Sequence, residues 1–212
     1  MLRVENLCFS YEKRSGFGLS KISTPILDHL SFSLQSGENM MIYGSSGSGK
    51  STLGKILAGL ISAQAGEIWL DDERIVGLSP LKIQYIFQDQ KTALNPHKNV
   101  RQLILSVAWA LEEKVDLLQL LDLYGLDEKI LDLRVSALSS GEAQRIGILR
   151  ALIAKPKILI CDEVFASLDL GVLEKILSIL RSYQKEHSAS FIFISHIKEA
   201  LGGMYQKILR LD

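Results

Sequence analysis

Short, continuous apolar runs alternate along the chain with segments whose apolar residues recur at helical spacing. Three runs have the length and composition of buried strands: residues 39–44 (NMMIYG), 157–163 (KILICDE) and 190–196 (SFIFISH). Residues 50–60 and 171–187 place their apolar residues on one face of a helix. Uninterrupted apolar strands are typical of parallel sheets that are covered on both faces. The pattern therefore predicts an α/β core with a mostly parallel sheet.

Other parts of the chain have different patterns. Residues 66–75 (GEIWLDDERI) alternate and then turn, as an antiparallel edge strand does. The polar, glycine-containing residues 13–25 predict a loop, and residues 100–126 predict helix throughout. We expect a single α/β domain with an antiparallel β edge subdomain and an inserted helical subdomain. The expected division is a core at 1–93 and 155–212, and helices at about 94–154.

Composition narrows the class of protein. The 212 residues are 47% hydrophobic, which is enough for the core of one domain, and the 24 basic and 24 acidic residues cancel. This balance argues against a nucleic-acid partner.

Cys8 and Cys161 fit no metal-ligand spacing, so we expect both to be small core residues in a reducing compartment. Uncharged runs reach about ten residues, half of a bilayer span, and no signal peptide is apparent. We expect a soluble chain that reaches a membrane only through a partner.

The segment GSSGSGKS (44–51) carries the most specific chemistry. It fits the pattern G-x-x-x-x-G-K-[ST], with a predicted strand before it and a predicted helix after it. Its glycines allow successive backbone N–H groups to turn inward around an anion. We expect Lys50 to reach the β- and γ-phosphates of a nucleotide and Ser51 to ligate Mg²⁺. The predicted binding loop consists of Gly44, Ser45, Ser46, Gly47, Ser48, Gly49, Lys50, Ser51 and Thr52.

Two acidic residues follow the apolar run ILIC. Asp162 should emerge at the carboxyl end of a buried strand, where open α/β sheets bind ligands. A carboxylate there can hold Mg²⁺, through water, beside the phosphate loop. Glu163 lies one position further along the chain and can polarise an attacking water as a general base.

The segment LSSGEAQR (138–145) is a second small-residue turn before a helical run. Ser139, Ser140 and Gly141 would form a helix N-terminus, which binds anions readily. An ordinary capping box between Ser139 and Glu142 is the alternative interpretation, and both can hold at once.

Taken in order and at these separations, the phosphate loop, LSSGEAQR, ILICDE (158–163), ASLD (166–169) and the SH at 195–196 resemble the ATPase subunits of ATP-binding cassette (ABC) transporters. The resemblance covers nearly the whole chain and implies a P-loop NTPase core that binds ATP and Mg²⁺. In that family two cassettes meet head to tail, and each signature loop caps the ATP of the other subunit. The resemblance therefore implies that the partner's ATP is bound by Ser139, Ser140, Gly141 and Glu142.

Further positions match the family one by one. Tyr11 matches the aromatic residue that stacks on adenine, and Gln88 the glutamine that senses Mg²⁺ and the γ-phosphate. Asp169 matches the loop that crosses the dimer interface, and His196 the switch histidine at the γ-phosphate. The resemblance thus implies that Glu163, His196 and Lys50 are catalytic. It also implies a metal set of Ser51, Gln88 and Asp162.

The segment IFQDQKTALNPHKNV (86–100) is similar to the FQDP…LNP pattern of peptide and nickel importers, although Gln90 stands where proline is usual. The signature reads Ser-Ser-Gly instead of the commoner Ser-Gly-Gly. The chain also lacks the C-terminal extension of many importer cassettes, which favours nickel or a nickel chelate over a dipeptide or oligopeptide. An exporter cassette, a non-transport ABC ATPase and a P-loop kinase are the alternatives. The kinase has no use for a signature loop.

The resemblance also implies the partners. These are two transmembrane permease subunits and a homologous ATPase subunit, with a heterodimer favoured over a homodimer. An extracytoplasmic solute-binding protein would act indirectly. The expected location is the cytoplasmic face of the cell membrane, reached through the permease.

Overall fold

A computed structural model of the protein describes residues 1–14, 21–79, 81–166, 168–195 and 201–212. Its strands are β1 (Leu2–Arg14), β2 (Lys21–Leu34), β3 (Met40–Gly44), β4 (Ala65–Leu70), β5 (Glu73–Arg74), β6 (Ile83–Ile86), β7 (Ile158–Asp162), β8 (Ser190–Ile194) and β9 (Lys207–Leu211). Its α-helices are α1 (Lys50–Leu57), α2 (Gln90–Ala93), α3 (Val100–Ala110), α4 (Leu117–Leu123), α5 (Ser140–Ile153) and α6 (Leu170–His187). Two short 3₁₀ helices lie at Glu128–Asp132 and Val135–Ala137.

A five-stranded sheet in the order β6–β7–β8–β3–β9 forms the centre of the fold, and its neighbouring strands are parallel. The strands β7 and β8 are buried at every position. Alternate residues of β7 belong to different apolar clusters. Leu159 and Cys161 pack with the helices of residues 100–180, whereas Ile158 and Ile160 pack with α1 and the second sheet. Burial on both faces explains the continuous apolar runs and confirms the predicted α/β class.

The second sheet is antiparallel, with four strands in the order β2–β1–β4–β5. Residues 66–75 form β4, a turn at Asp71 and Asp72, and β5, as predicted. The predicted loop at 13–25 is wrong at both ends, because β1 continues to Arg14 and β2 begins at Lys21, with Tyr11 opposite Thr24. A two-stranded ribbon needs no apolar core face, so its polar composition resembles that of a loop.

The prediction of continuous helix over residues 100–126 is also wrong. The helix α3 ends at Ala110, Glu112 is left-handed with φ 55°, and Asp116 caps the start of α4 through Leu118 and Gln119. Leu111 and Val115, within the break, still pack against the apolar core. The apolar spacing therefore continues in phase across a turn that is not helical. The first helix is likewise shorter than predicted, ending at Leu57 instead of residue 60.

The two cysteines differ in environment. Cys161 is buried in β7, as expected, and burial raises the pKa of its thiol well above the ordinary value. Cys8 is only partly buried and belongs to neither apolar cluster, so its prediction as a core residue is wrong. Within the described residues, no helix is long and apolar enough to span a membrane.

Candidate functional site: a phosphate loop at the carboxyl edge of the parallel sheet

The loop between β3 and α1 has the backbone of an anion-binding site. Gly47 and Gly49 are left-handed, with φ of 82° and 93°. A side chain at Gly44 would collide with the carbonyl oxygen of Leu211, because a Cβ atom there would lie 1.8 Å from it. Left-handed glycines turn neighbouring N–H groups to one side, so the loop presents donors to a common point.

The first turn of α1 differs from those of the other helices. The helices α2 to α6 each begin with a side chain that accepts a hydrogen bond from their first backbone N–H groups. The helix α1 has Gly49 as its N-cap residue and no side-chain cap. Its N–H groups and the positive end of its dipole are therefore available to an external anion.

Lys50 places a buried cation at the same point. The side chain is only 5% exposed, and its ammonium group donates to the carbonyl oxygens of Gly44, at 3.0 Å, and Ser45, at 2.6 Å. Among the described residues no carboxylate forms an ion pair with it. A buried cation without a counter-charge is costly. A phosphate group in the loop would supply that charge.

Asp162 and Ser51 come together beside this loop, as the sequence predicts. Asp162 ends β7, is 5% exposed, and accepts a hydrogen bond from the Ser51 hydroxyl at 3.1 Å. One carboxylate and one hydroxyl are the hard oxygen donors that Mg²⁺ prefers. The donor set therefore fits a magnesium ion next to a bound triphosphate.

Tyr85 also contributes to this candidate metal site, although the sequence pattern does not indicate it. It lies on β6, and its hydroxyl donates to the second carboxylate oxygen of Asp162. Gly54 of α1 makes room for the ring, since a Cβ atom there would lie 2.9 Å from Tyr85 Cε2. Burial first, and then the hydrogen bond to Asp162, raises the pKa of the Tyr85 hydroxyl, which keeps it protonated as a donor. Tyr85 thus holds Asp162 in one orientation.

On the prediction that Asp162 holds Mg²⁺ beside a bound nucleotide, replacing Tyr85 by phenylalanine should weaken Mg²⁺ binding by about 10–100-fold, the usual effect of losing a partner that orients a metal ligand. The measurement is Mg²⁺ half-saturation in the presence of a nucleoside triphosphate, read by Mn²⁺ competition, alongside the rate of triphosphate hydrolysis. Tyr183→Phe is the matched control, because it removes a hydroxyl that donates to the Pro156 carbonyl oxygen instead. An equal loss in both variants would show that Tyr85 only stabilises the fold.

The candidate general base and the sensing glutamine contact each other directly. The Gln88 amide donates to a Glu163 carboxylate oxygen at 2.7 Å. Glu163 is left-handed, with φ 50°, and its backbone N–H donates to the Ile194 carbonyl oxygen at 2.8 Å. Strained backbone at the end of a strand is common where a side chain must be aimed. The fold thus brings residues 75 positions apart into one hydrogen bond.

Tyr11 lies at the rim of the same site. The residue is 44% exposed, its ring packs edge-on against Phe9 with centroids 4.9 Å apart, and its hydroxyl lies 3.2 Å from the Thr52 hydroxyl. A supported and partly exposed ring next to the phosphate loop fits the predicted stacking on a base. Its adenine-binding role stays a prediction.

The signature segment at the start of α5 forms a capping box. The Ser139 hydroxyl accepts from the Glu142 N–H at 3.2 Å, and the Glu142 carboxylate accepts from the Ser139 N–H and hydroxyl, each at 2.7 Å. These bonds, the backbone one first, lower the pKa of Glu142, so the carboxylate stays ionised. The predicted capping box is confirmed. Ser139 and Ser140 are exposed, and their contact with a partner's ATP stays a prediction.

The structure gives less information on the other two predicted site residues, Asp169 and His196. Asp169 caps α6 by accepting from the Val172 N–H at 3.0 Å, and it is exposed. His196 lies outside the described residues, beyond the end of β8.

The fold and this loop define the class of the protein: a P-loop nucleoside triphosphatase, with Asp162 at the end of a buried strand of the same sheet. Residues 27–166, which are more than half of the chain, match the family of ABC transporters. The chain belongs to this family and is an ABC ATPase, which binds ATP and hydrolyses it.

Relatives match along nearly the whole chain. SapF of Escherichia coli (strain K12), the ATP-binding protein of a putrescine export system, is 31% identical, with 97% of this chain and 83% of that protein covered. SapF of Shigella flexneri, named for peptide transport, matches with the same identity and coverage. NikE of Escherichia coli O157:H7, a nickel import ATP-binding protein, is 32% identical over 100% of this chain and 84% of its own length.

Solved structures share the fold. The ATP-binding cassette MJ0796, a dimer bound to ADP and Pi, superposes with a TM-score of 0.85 at 24% identity, covering 100% of this chain and 94% of that one. The cbiO1 protein of Clostridium perfringens, part of the transporter complex cbiONQ, has a TM-score of 0.75 at 26% identity, with 100% and 84% covered.

Proposed function

We propose that this chain is the ATP-hydrolysing subunit of an ABC importer of the peptide/nickel type, with nickel or a nickel chelate as its cargo. The full-length similarity to NikE, at 32% identity, carries the proposal. The FQD…LNP resemblance at residues 86–100 supports the same group. A dipeptide or oligopeptide importer is the main alternative and is favoured by SapF proteins named for peptide transport. The putrescine export name of one SapF favours an exporter instead.

In this proposal the phosphate loop and Lys50 bind the triphosphate, and Asp162 and Ser51 hold Mg²⁺, with Gln88 as a further ligand. When bound, Mg²⁺ neutralises charge that develops on the transferred phosphoryl group. Glu163 accepts a proton from the attacking water, and the Gln88 amide, 2.7 Å away, holds the carboxylate until the nucleotide arrives. Lys50 stabilises the developing negative charge. His196 is proposed to contact the γ-phosphate.

We also propose that two cassettes, most simply this chain and a homologous one, close over two ATP molecules. Ser139, Ser140, Gly141 and Glu142 of each would cap the nucleotide of the other. In the present structure the Ser139 hydroxyl is engaged by Glu142 at 2.7 Å, so it must turn away from that carboxylate to meet a phosphate. At its present position the ionised Glu142 carboxylate would repel a phosphate, so its own contact with the nucleotide also requires it to turn away. Closure therefore includes a local rearrangement of the capping box.

The helical segment, residues 94–154, is proposed to act as a subdomain that transmits closure to a permease pair in the cell membrane. The surface near residues 87–97 is the proposed docking face. Phe87, Thr92, Ala93 and His97 are exposed there, next to the glutamine that contacts Glu163. A permease loop seated on this face would respond to changes at the nucleotide.

Ala93→Arg should block transport without reducing ATP binding, because it adds a long charged side chain to the proposed docking face. In cells lacking their own copy of the gene, the wild-type chain should restore nickel accumulation and Ala93→Arg should not. Ala110→Arg is the matched control, since Ala110 is also an exposed alanine at a helix end but lies outside the docking face.

Labelled nickel and a labelled tripeptide are measured in parallel. If the wild-type chain restored only peptide uptake, it would belong to a peptide importer. If it restored polyamine export, it would belong to an exporter. Full transport by Ala93→Arg would contradict the proposed docking face.

A further inference from the structure

Cys8, Asp28 and His29 form a cluster of metal-binding side chains away from the phosphate loop. The Cys8 thiol, a carboxylate oxygen of Asp28 and a ring nitrogen of His29 all lie within 4.8 Å of one another. Asp28 and His29 are adjacent in the chain, and Cys8 is 20 positions before Asp28 on the neighbouring strand. Linear spacing gave no indication of a ligand set, so only the sheet assembles it.

An irregularity in the β1–β2 pairing produces the cluster. Leu7 pairs with Leu30 and Phe9 pairs with Leu27, so two residues of β2, Asp28 and His29, lie opposite the single residue Cys8. This is the arrangement of a β-bulge. His29 is left-handed, with φ 47°, which is uncommon for a residue with a side chain. Consecutive strand residues normally face opposite sides of a sheet, and the bulge brings both beside Cys8.

The three donors have the chemistry of a transition-metal site. Thiolate, imidazole and carboxylate are the ligands that zinc takes in proteins, at about 2.0–2.3 Å. The His29 ring nitrogen lies 3.8 Å from the Asp28 carboxylate, and both side chains are largely exposed, at 75% and 87%. They are therefore free to close the short remaining distance around an ion. The His29 backbone N–H already donates to the Cys8 sulfur at 3.3 Å, which holds the sulfur beside the bulge.

We propose that Cys8, Asp28 and His29 bind one zinc ion, with water completing a four-coordinate site. The site is separate from the nucleotide site and shares no ligand with it. The ion holds β1 to β2 at the bulge, with Cys8 one residue before Phe9 and three before Tyr11, and binds with release of the Cys8 thiol proton. None of the predicted nucleotide ligands takes part, so failure of this proposal would leave the proposed function unaffected.

Thiol reactivity gives a selective test, because Cys161 is buried with a raised pKa and Cys8 alone should react in the folded chain. The purified full chain, free of nucleotide and with excess Mg²⁺, is titrated with Zn²⁺ and challenged with a thiol reagent. Stoichiometric zinc should slow the Cys8 reaction about tenfold or more. Co²⁺ in place of Zn²⁺ should give a thiolate charge-transfer band that Cys8→Ser abolishes.

His29→Asn should raise the half-protecting zinc concentration by about 10–100-fold. Asparagine tolerates the left-handed backbone, so the bulge should keep its fold. Asp28→Asn provides a second variant with unchanged shape. His97→Asn, which removes an exposed histidine elsewhere, is the control and should leave protection unchanged. Equal affinity in His29→Asn and His97→Asn, or a cobalt spectrum without the thiolate band, would overturn the proposal.

Discussion

Glu163→Gln is expected to keep ATP binding and lose hydrolysis by about 10²–10⁴-fold, the contribution of a positioned general base. Glutamine retains an oxygen that can accept the Gln88 amide hydrogen bond, which spans 2.7 Å in the wild type. The substitution therefore removes the proton acceptor and little else. Single-turnover hydrolysis of pre-bound ATP gives the rate, and a fluorescent ATP analogue gives the affinity.

Glu174→Gln is the matched control, because it makes the same change on an exposed position of α6. It should leave both quantities unchanged. If Glu163→Gln lost affinity for ATP, Glu163 would be a structural residue of the loop. If it hydrolysed ATP at the wild-type rate, another group would be the base.

Ser139→Arg is expected to abolish the ATP-driven dimer while the monomer still binds nucleotide. The exposed Ser139 is proposed to meet the partner's phosphate, and an arginine there would fill that space. Steady-state ATPase should fall by about 10²–10³-fold, the loss typical of removing one preorganised donor to a developing charge. The dimer is measured by light scattering with ATP, in the Glu163→Gln background, where closed dimers should accumulate.

The substitution also removes a helix cap, which by itself costs about 0.5–2 kcal/mol of stability. Asn99→Arg controls for this effect. Asn99 caps α3 in a capping box with Gln102, and its replacement makes the same change of charge away from the proposed dimer contact. If Ser139→Arg formed the ATP-driven dimer as well as Asn99→Arg does, the signature loop would act only as a helix cap.

Much of the site could be predicted because its chemistry depends on local backbone geometry. The left-handed Gly47 and Gly49 and the uncapped start of α1 follow from a few adjacent residues. The buried strand β7 could be predicted because covering both faces of a sheet requires an uninterrupted apolar run. Asp162 and Glu163 were then placed at the end of that strand by counting.

Tyr85 escaped prediction because its role depends on a strand neighbour. In the sequence it is one of several apolar or aromatic residues before Gln88. Only the pairing of β6 with β7, and the space left by Gly54, directs its hydroxyl to Asp162. The helix break after Ala110 escaped for a related reason, since Leu111 and Val115 keep apolar contacts through a non-helical turn.

The nucleotide chemistry of this protein follows from its amino-acid sequence alone, because the residues of the anion-binding loop, including its glycines, are consecutive. The sequence also determined the α/β class, because apolar periodicity reports which faces of each element are covered. Tertiary structure decided the contacts between distant residues: Gln88 with Glu163, Tyr85 with Asp162, and Cys8 with Asp28 and His29. Those contacts depend on strand order, register and a bulge, which set distances that no local pattern encodes.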